Sequence, residues 1–173
     1  SVVPRKGFDI LIPALAALKN LDWHLRIAGD CTRDLEAASQ LNRDIDRFSL
    51  GDRVQLLGAV SAQTLEELYQ SADLFVLASR YEGYGMAYAE ALAHGLPVVG
   101  TTGGAIPDTV PLTAGLLVEP GNLDALTSAL RQVMTDASLR TQLSSGALRV
   151  AREQPDWPES TALFSRVLHT VLN

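Results

Sequence analysis

Two acidic side chains, Glu82 and Glu90, carry the most informative chemistry in the sequence, and seven residues separate them. A carboxylate has two oxygens that can accept both protons of a vicinal diol. On a helix this spacing covers about two turns, so both carboxylates can face one cleft without lying close enough to act as an acid pair. The pair therefore indicates binding of sugar and ribose hydroxyls.

A glycine-bearing turn lies beside the first of these acids. Gly83 and Gly85 let the backbone approach a bound group closely. Residues 87–94 predict a helix, and the free N–H groups of its first turn, together with the positive end of its dipole, favour an anion such as phosphate. Phosphate at the turn and hydroxyls at the carboxylates together describe a nucleotide sugar.

The elements that must position this turn alternate between strand and helix. Short apolar or alternating runs that end at turn residues predict strands at about 24–29, 53–58, 74–78, 97–101 and 115–118. Further helices are predicted at 10–18, 33–48, 64–71, 123–134, 138–152 and about 159–172, with Ser61 as one N-cap. Each gap between strands is long enough for a crossover helix. The sequence therefore predicts an α/β fold with a doubly wound, Rossmann-like parallel sheet and its ligand at the carboxyl ends of the strands.

Length and charge narrow the classes of function. With 173 residues, 47% of them hydrophobic, we expect a single domain over 1–173. The net charge of −6 and the absence of a basic stripe argue against a nucleic-acid partner. The single cysteine, Cys31, suits a reducing compartment, and no apolar run reaches the roughly 18 residues of a membrane span. We expect a cytoplasmic protein, which a lipid acceptor could still bring to a membrane surface.

Several common nucleotide and hydrolase signatures are missing. The sequence contains no G-x-G-x-x-G after a strand and no G-x-x-x-x-G-K-[ST], which disfavours a dehydrogenase and a kinase-type site. It also lacks G-x-S-x-G and H-E-x-x-H, which disfavours the corresponding hydrolases.

The stretch E-G-Y-G-M-A-Y-A-E-A-L-A-H-G at 82–95 resembles the E-x7-E motif of the group 1 (glycogen-synthase-like) family of retaining glycosyltransferases with the GT-B fold. Further stretches are similar to family signatures in the same order along the chain: V-P-R-K-G-F-D, L-R-I-A-G-D, R-V-Q-L-L-G-A-V and L-Y-Q-S-A-D-L-F-V-L-A-S. The resemblance covers nearly the whole chain. It implies the C-terminal, donor-binding half of a GT-B enzyme, with the N-terminal acceptor domain and the first strand of the sheet absent from this sequence.

The resemblance also implies roles for individual residues. Glu90 would bind the ribose hydroxyls. Glu82 would hold the donor sugar together with the turn that follows it, namely Gly83, Tyr84, Gly85 and Met86.

Other positions would bind the nucleotide and its phosphates. Lys6 would face the diphosphate, so that Lys6 and Glu82 form the predicted catalytic pair. The family's Arg partner lies five or six residues before this Lys, at Ser1 or upstream of it, and we expect Arg5 to be an ordinary surface charge. The nucleotide would be bordered by Gly29, Gly58 and Val60.

The resemblance implies transfer of a sugar from a UDP- or GDP-sugar to an unknown acceptor, with retention of configuration and without a metal or other cofactor. Two alternatives stay open. A nucleotide-sugar epimerase of the same fold shares a paired-Glu donor site, and a degenerate, non-catalytic binding module fits the missing Arg partner of Lys6. We expect the site residues to border one concave pocket.

Overall fold

The computed structural model describes residues 1–153, so the helix predicted at 159–172 lies outside the described residues. After a 3₁₀ turn at Pro4–Lys6, strands and helices alternate. The helices are α1 (Phe8–Ala16), α2 (Leu35–Arg47), α3 (Ala62–Gln70), α4 (Met86–Ala93), α5 (Ile106–Thr109), α6 (Leu123–Thr135) and α7 (Ala137–Glu153). The strands are β1 (Leu25–Ala28), β2 (Val54–Gly58), β3 (Phe75–Val76), β4 (Val98–Thr101) and β5 (Gly115–Val118).

All pairings between these strands are parallel, as predicted. The prediction of one continuous sheet is wrong in detail, because β1 pairs with β2 in one sheet and β3, β4 and β5 form another. The edges of β1 and β3 that face each other are separated by a groove instead of hydrogen bonds. The predicted parallel α/β fold is confirmed, but hydrogen bonding between strands is interrupted between β1 and β3.

Helices cover both faces of the strands. Successive residues of a strand point to opposite faces, and Val98 and Val99 of β4 belong to two different hydrophobic clusters. The first cluster includes Leu11 of α1 and Leu130 of α6, and the second includes Leu92 of α4 and part of α7. The parallel strands therefore have helices on both faces, which is the doubly wound arrangement.

Side-chain caps fix where the longer helices begin. Asp34 caps α2 by accepting a bond from the N–H of Ala37 at 2.9 Å, and the predicted cap Ser61 accepts from the N–H of Thr64 at 3.1 Å. Asn122 caps α6 in the same way. Within residues 1–153, every helix is too short or too polar to cross a lipid bilayer.

Candidate functional site

The loop that joins β3 to α4 forms the centre of the site. Tyr88, on the first turn of α4, is fully buried and donates from its hydroxyl to the carbonyl of Leu77 at 2.7 Å. Gly85 precedes the helix with a φ of 82°, a left-handed conformation that glycine adopts without strain. The N–H groups of Tyr88 and Ala89 both bond to the carbonyl of Gly85. The N–H groups of residues 86 and 87 precede these bonds, so they remain available at the helix end.

Glu82 lies in this loop and is held by three donors. Its carboxylate accepts from Lys6 Nζ and Ser79 Oγ, each at 2.6 Å from Oε1, and from Arg5 Nη1 at 2.9 Å from Oε2. The residue is only 7% exposed. Burial raises the pKa of Glu82, but the bonds from Lys6, Ser79 and Arg5 outweigh burial and hold that pKa below its usual value. Glu82 is therefore an anion that orders two cations.

These contacts limit how many sugar hydroxyls Glu82 could accept. An ionised carboxylate has about four acceptor positions, and three donors already contact this one. The expectation that Arg5 is an ordinary surface charge is wrong, since Arg5 bonds to both Glu82 and the carbonyl of Tyr81.

The first nine residues pack against the loop after β3 and are hydrogen-bonded to it. Gly7 adopts a φ of 70°, and any Cβ there would collide with the carbonyl of Ala78. The N–H of Arg80 donates to the carbonyl of Arg5 at 2.7 Å. The guanidinium of Arg80 donates two hydrogen bonds, of 2.6 and 2.9 Å, to the carboxylate of Asp9. These contacts with the loop after β3 therefore fix the position of the segment that carries Arg5 and Lys6.

The glycine turn after β4 supports the other side of Glu82. The N–H of Glu82 bonds to the carbonyl of Gly103, and the carbonyl of Glu82 accepts from the N–H of Ala105. Thr109 of α5 donates to the carbonyl of Tyr84 at 3.0 Å. The backbone from Glu82 to Tyr84 is thereby fixed from both directions.

Glu90, the second acid, has a different environment. Its Oε2 accepts from the hydroxyl of Tyr69 at 2.9 Å, and the residue is half-buried on α4. Burial, followed by the contact with Glu90, raises the pKa of Tyr69, so its hydroxyl stays a donor. The ring of Tyr69 stacks on His94, with centroids 5.0 Å apart, and His94 lies 3.3 Å from Glu66. Glu90 is thus oriented by one neutral donor.

The structure brings the predicted site residues together in two groups. Lys6 and Glu82 are in direct contact, next to the turn that carries Gly83, Tyr84, Gly85 and Met86. Gly29 and Gly58 form the second group, because the N–H of Gly29 bonds to the carbonyl of Gly58 at 2.8 Å, and half-buried Val60 follows this turn. Among residues 1–153, no hydrogen bond or ion pair joins the two groups.

That all the predicted site residues border one concave pocket stays a prediction. A cavity of about 600 Å³ is lined by Lys6 but by neither Glu82 nor Glu90, and it lies between β1 and β3. The turn between Glu82 and α4 lies at the surface, and the side chains of Tyr84 and Met86 are exposed there. The part of the chain that the structure describes holds no cluster of three or more His, Cys, Asp or Glu side chains arranged to bind a metal ion.

Three contacting residues were not predicted from the sequence as parts of the site: Arg5, Ser79 and Tyr69. Ser79 directly follows the predicted strand at 74–78, so a serine at the carboxyl end of a strand was an available signal. The contact between Tyr69 and Glu90 depends on how α3 packs against α4, which no local pattern reports.

Comparison with known proteins identifies the family of this chain. Residues 1–150 match the family model described as "Glycosyl transferases group 1". The chain is 32% identical over 165 residues to the GDP-mannose-dependent monoacylated alpha-(1-6)-phosphatidylinositol monomannoside mannosyltransferase of Corynebacterium glutamicum, covering 90% of this chain and 41% of the relative. It is 32% identical over 172 residues to the glycogen synthase of Deinococcus deserti, covering 95% of this chain and 36% of the relative.

Among solved structures, Anabaena Alr3699/HepE in complex with UDP superposes with a TM-score of 0.87 at 25% identity, over 98% of this chain and 46% of that one. A doubly wound parallel sheet with its polar residues after the strand ends defines a Rossmann-like domain of the GT-B type. The chain belongs to the group 1 glycosyltransferase family. It spans less than half the length of the curated relatives described above.

Proposed function

We propose that this chain is the donor-binding half of a retaining glycosyltransferase that uses a UDP- or GDP-sugar. The observation that carries the proposal is the pair of cations, Lys6 and Arg5, that shares the single carboxylate of Glu82 beside the N-terminal end of α4. Two positive charges against one negative charge leave net positive charge next to free helix N–H groups. That combination favours a diphosphate.

In this proposal each group contacts a different part of the donor. Lys6 and Arg5 face the diphosphate, Glu90 binds the ribose hydroxyls, and the backbone from Gly83 to Met86 lies along the sugar. Glu82 keeps one acceptor position for a sugar hydroxyl while it orders the cations. The nucleotide end lies against Gly29, Gly58 and Val60.

Bond breaking then depends on stabilising the leaving group. As the bond between the anomeric carbon and the β-phosphate oxygen breaks, negative charge develops on that oxygen, and the cations and helix end stabilise it. The departing phosphate accepts the proton of the acceptor hydroxyl, and the new glycosidic bond forms on the same face of the sugar. Because side-chain cations serve the diphosphate, we propose that the reaction needs no metal.

The acceptor is proposed to lie on another domain. The exposed side chains of Tyr84 and Met86 form a platform that a facing domain would cover, and closure over the donor would exclude water. The HepE complex contains UDP, and the corynebacterial relative is named for GDP-mannose and for a lipid-linked acceptor. We therefore propose that residues 1–173 bind a nucleotide but transfer no sugar alone, and that the whole protein works in the cytoplasm.

Calorimetry with UDP, GDP, ADP and CDP tests the proposal on the chain itself. Replacing Lys6 with Met should weaken binding of the preferred nucleotide about tenfold or more, since a hydrogen bond to a charged group contributes about 1.5–3 kcal/mol. Lys19→Met, a change of the same kind at an exposed position outside the site, is the matched control.

Equal affinity of the Lys6→Met and Lys19→Met variants would refute the cation role. Incubation with UDP- and GDP-sugars distinguishes the other classes of function. An epimeric product would identify an epimerase, and no affinity for any nucleotide would identify a binding module.

A further inference from the structure

The two oxygens of the Glu82 carboxylate have different surroundings. Oε1 accepts from Lys6 Nζ and from Ser79 Oγ, both at 2.6 Å. Among the residues that the structure describes, Oε2 accepts from Arg5 Nη1 alone, at 2.9 Å. Because each carboxylate oxygen has two acceptor positions, those of Oε1 are both filled and one position of Oε2 is open. A ligand hydroxyl can therefore bond to this carboxylate only at Oε2.

Arg5 is the more exposed of the two cations that share Glu82. Its side chain is 52% exposed, compared with 16% for Lys6 and 10% for Glu82. A ligand that arrives from solvent therefore meets Arg5 first. An ion pair at the surface contributes little to stability, because water screens it and ordering a long side chain costs entropy. Withdrawing Lys6 would instead leave a buried charge without its partner. Arg5 is thus the cation that Glu82 can release more easily.

The guanidinium of Arg5 has unused donors. Nη1 donates to Glu82 and, at 3.2 Å, to the carbonyl of Tyr81. Nε and Nη2 make no hydrogen bond with any of residues 1–153. A guanidinium matches a phosphate group through two parallel N–H bonds, whereas only one of its nitrogens bonds to Glu82. A diphosphate bound beside α4 therefore offers Arg5 a better partner than Glu82 does.

The backbone of Arg5 stays in place while its side chain changes partner. Its carbonyl accepts from the N–H of Arg80 at 2.7 Å, and the N–H of the next residue, Lys6, donates to the carbonyl of Val3 at 3.0 Å. Neither of these bonds involves the guanidinium. The exchange of partners therefore needs only a rotation of the Arg5 side chain.

We propose that Arg5 is a specificity-determining residue that leaves Oε2 of Glu82 for the diphosphate of the donor and so opens that oxygen to a hydroxyl of the donor sugar. This inference rests on the proposed function, which places a diphosphate beside α4. Lys6 and Ser79 hold the carboxylate at Oε1 throughout the exchange. A free sugar finds Oε2 occupied by Arg5, so the sugar is recognised only as part of a nucleotide sugar.

Calorimetry with inorganic pyrophosphate, UDP and GDP tests the exchange in the full chain. Glu82→Gln keeps an acceptor oxygen for Lys6 and Ser79 but holds Arg5 less strongly. This variant should bind the diphosphate about threefold or more tightly than the natural chain, because Arg5 no longer has to leave a carboxylate. Part of that gain comes from removing a negative charge close to the ligand.

A double-variant cycle separates the two contributions. In an Arg5→Met background the gain from Glu82→Gln should fall by about half or more, since no cation is then exchanged. In an Arg131→Met background, with the same change at an exposed position of α6, the gain should persist in full. Equal gains in the Arg5→Met and Arg131→Met backgrounds would overturn the proposal. Weaker binding of the diphosphate by Glu82→Gln would overturn it as well.

The sugar contact is tested by comparing UDP-glucose with UDP and GDP-mannose with GDP. For the pair that the natural chain binds, the added sugar should increase affinity, and Glu82→Gln should reduce that increase about threefold or more. Arg5→Met should retain the increase, because Oε2 is then open without any exchange. Loss of the increase in Arg5→Met would show that Arg5 itself contacts the sugar, which contradicts the proposal.

A second measurement serves if Glu82→Gln does not fold. Carbon-13 NMR of the Glu82 carboxyl should show that pyrophosphate raises its pKa more in the natural chain than in Arg5→Met, because only the natural chain withdraws a cation. Equal rises would refute the exchange.

The pyrophosphate experiments distinguish this inference from the proposed function. Coupling between Arg5 and Glu82 with pyrophosphate, but no affinity for a nucleotide, would refute the proposed function and support the exchange. Nucleotide affinity without coupling would refute the exchange alone. No affinity for pyrophosphate or for any nucleotide would refute both.

Discussion

The surroundings of Glu82 and Glu90 differ sharply, although the two residues belong to one short motif. Glu82 is buried under two cations and a serine, whereas Glu90 is half-buried and contacts one tyrosine hydroxyl. The first carboxylate ties residues 5 and 6 to the loop after β3, while the second lies on a helix that already has its own backbone bonds. Glu82 therefore contributes to the structure of the site, and Glu90 is freer to bind a ligand.

The largest effect is expected from Glu82→Ala. This change leaves Lys6 and Ser79 without their acceptor, and removing one partner of a buried ion pair costs about 3 kcal/mol or more. Urea denaturation should show that loss in the free energy of unfolding, whereas Glu119→Ala, at an exposed loop position, should change it by less than about 0.5 kcal/mol. If the two variants were equally stable, Glu82 would not have the structural role that separates it from Glu90.

Glu90→Ala should show the opposite pattern. Nucleotide affinity should fall by roughly 1.5–3 kcal/mol, the usual contribution of hydrogen bonds to a charged group, while the free energy of unfolding changes by about 1 kcal/mol or less. Calorimetry and urea denaturation of the same preparation measure both quantities. An unchanged titration curve would show that Glu90 does not bind the ribose.

Tyr69→Phe tests how Glu90 is oriented, because it removes only the hydroxyl that bonds to this carboxylate. The stacking on His94 should survive, and nucleotide affinity should fall by about 1 kcal/mol, less than for Glu90→Ala. In a Glu90→Ala background the same change should have almost no effect on affinity, since its partner is gone. Additive losses in the double variant would mean that Tyr69 acts independently of Glu90.

The smallest effect is expected from titration. The pKa of Glu82 in the folded chain lies below the usual value of about 4.3, so the unfolded chain takes up this proton first. The stabilisation by the ion pairs is therefore complete above about pH 4.3 and is lost as the pH falls through the folded pKa. The stability difference between the natural chain and Glu82→Gln should shrink below that pH. A difference independent of pH in urea denaturation would contradict the charged state assigned to Glu82.

Much of the fold could be predicted because its signals are local. Five short apolar runs and the cap at Ser61 marked the strands and the start of α3. The gap between β1 and β3 could not be predicted, because a run of apolar residues does not report which edges find partners. For the same reason β3 was predicted at 74–78 and spans only Phe75–Val76, the residues whose partners lie in β4.

The candidate site could likewise be predicted only in part. Residue types in the motif marked Glu82, Glu90 and Lys6 as groups with chemistry, and the resemblance assigned roles that stay predictions. The geometry around them was missed, since the contact of Arg5 with Glu82 joins residues 77 positions apart. Residue type and spacing indicate which groups a side chain can bind. Tertiary packing determines which of those groups it contacts.

That long separation also has a consequence for folding. The link from Lys6 to Glu82 closes a loop of 76 residues that contains β1, β2 and β3. Closing so long a loop costs conformational entropy that only the completed strand pairings offset, so the contact forms with the sheet or after it. A partly folded chain with an intact α4 would lack the two cations beside it. Nucleotide affinity would therefore report completion of the fold, and it would appear late in refolding.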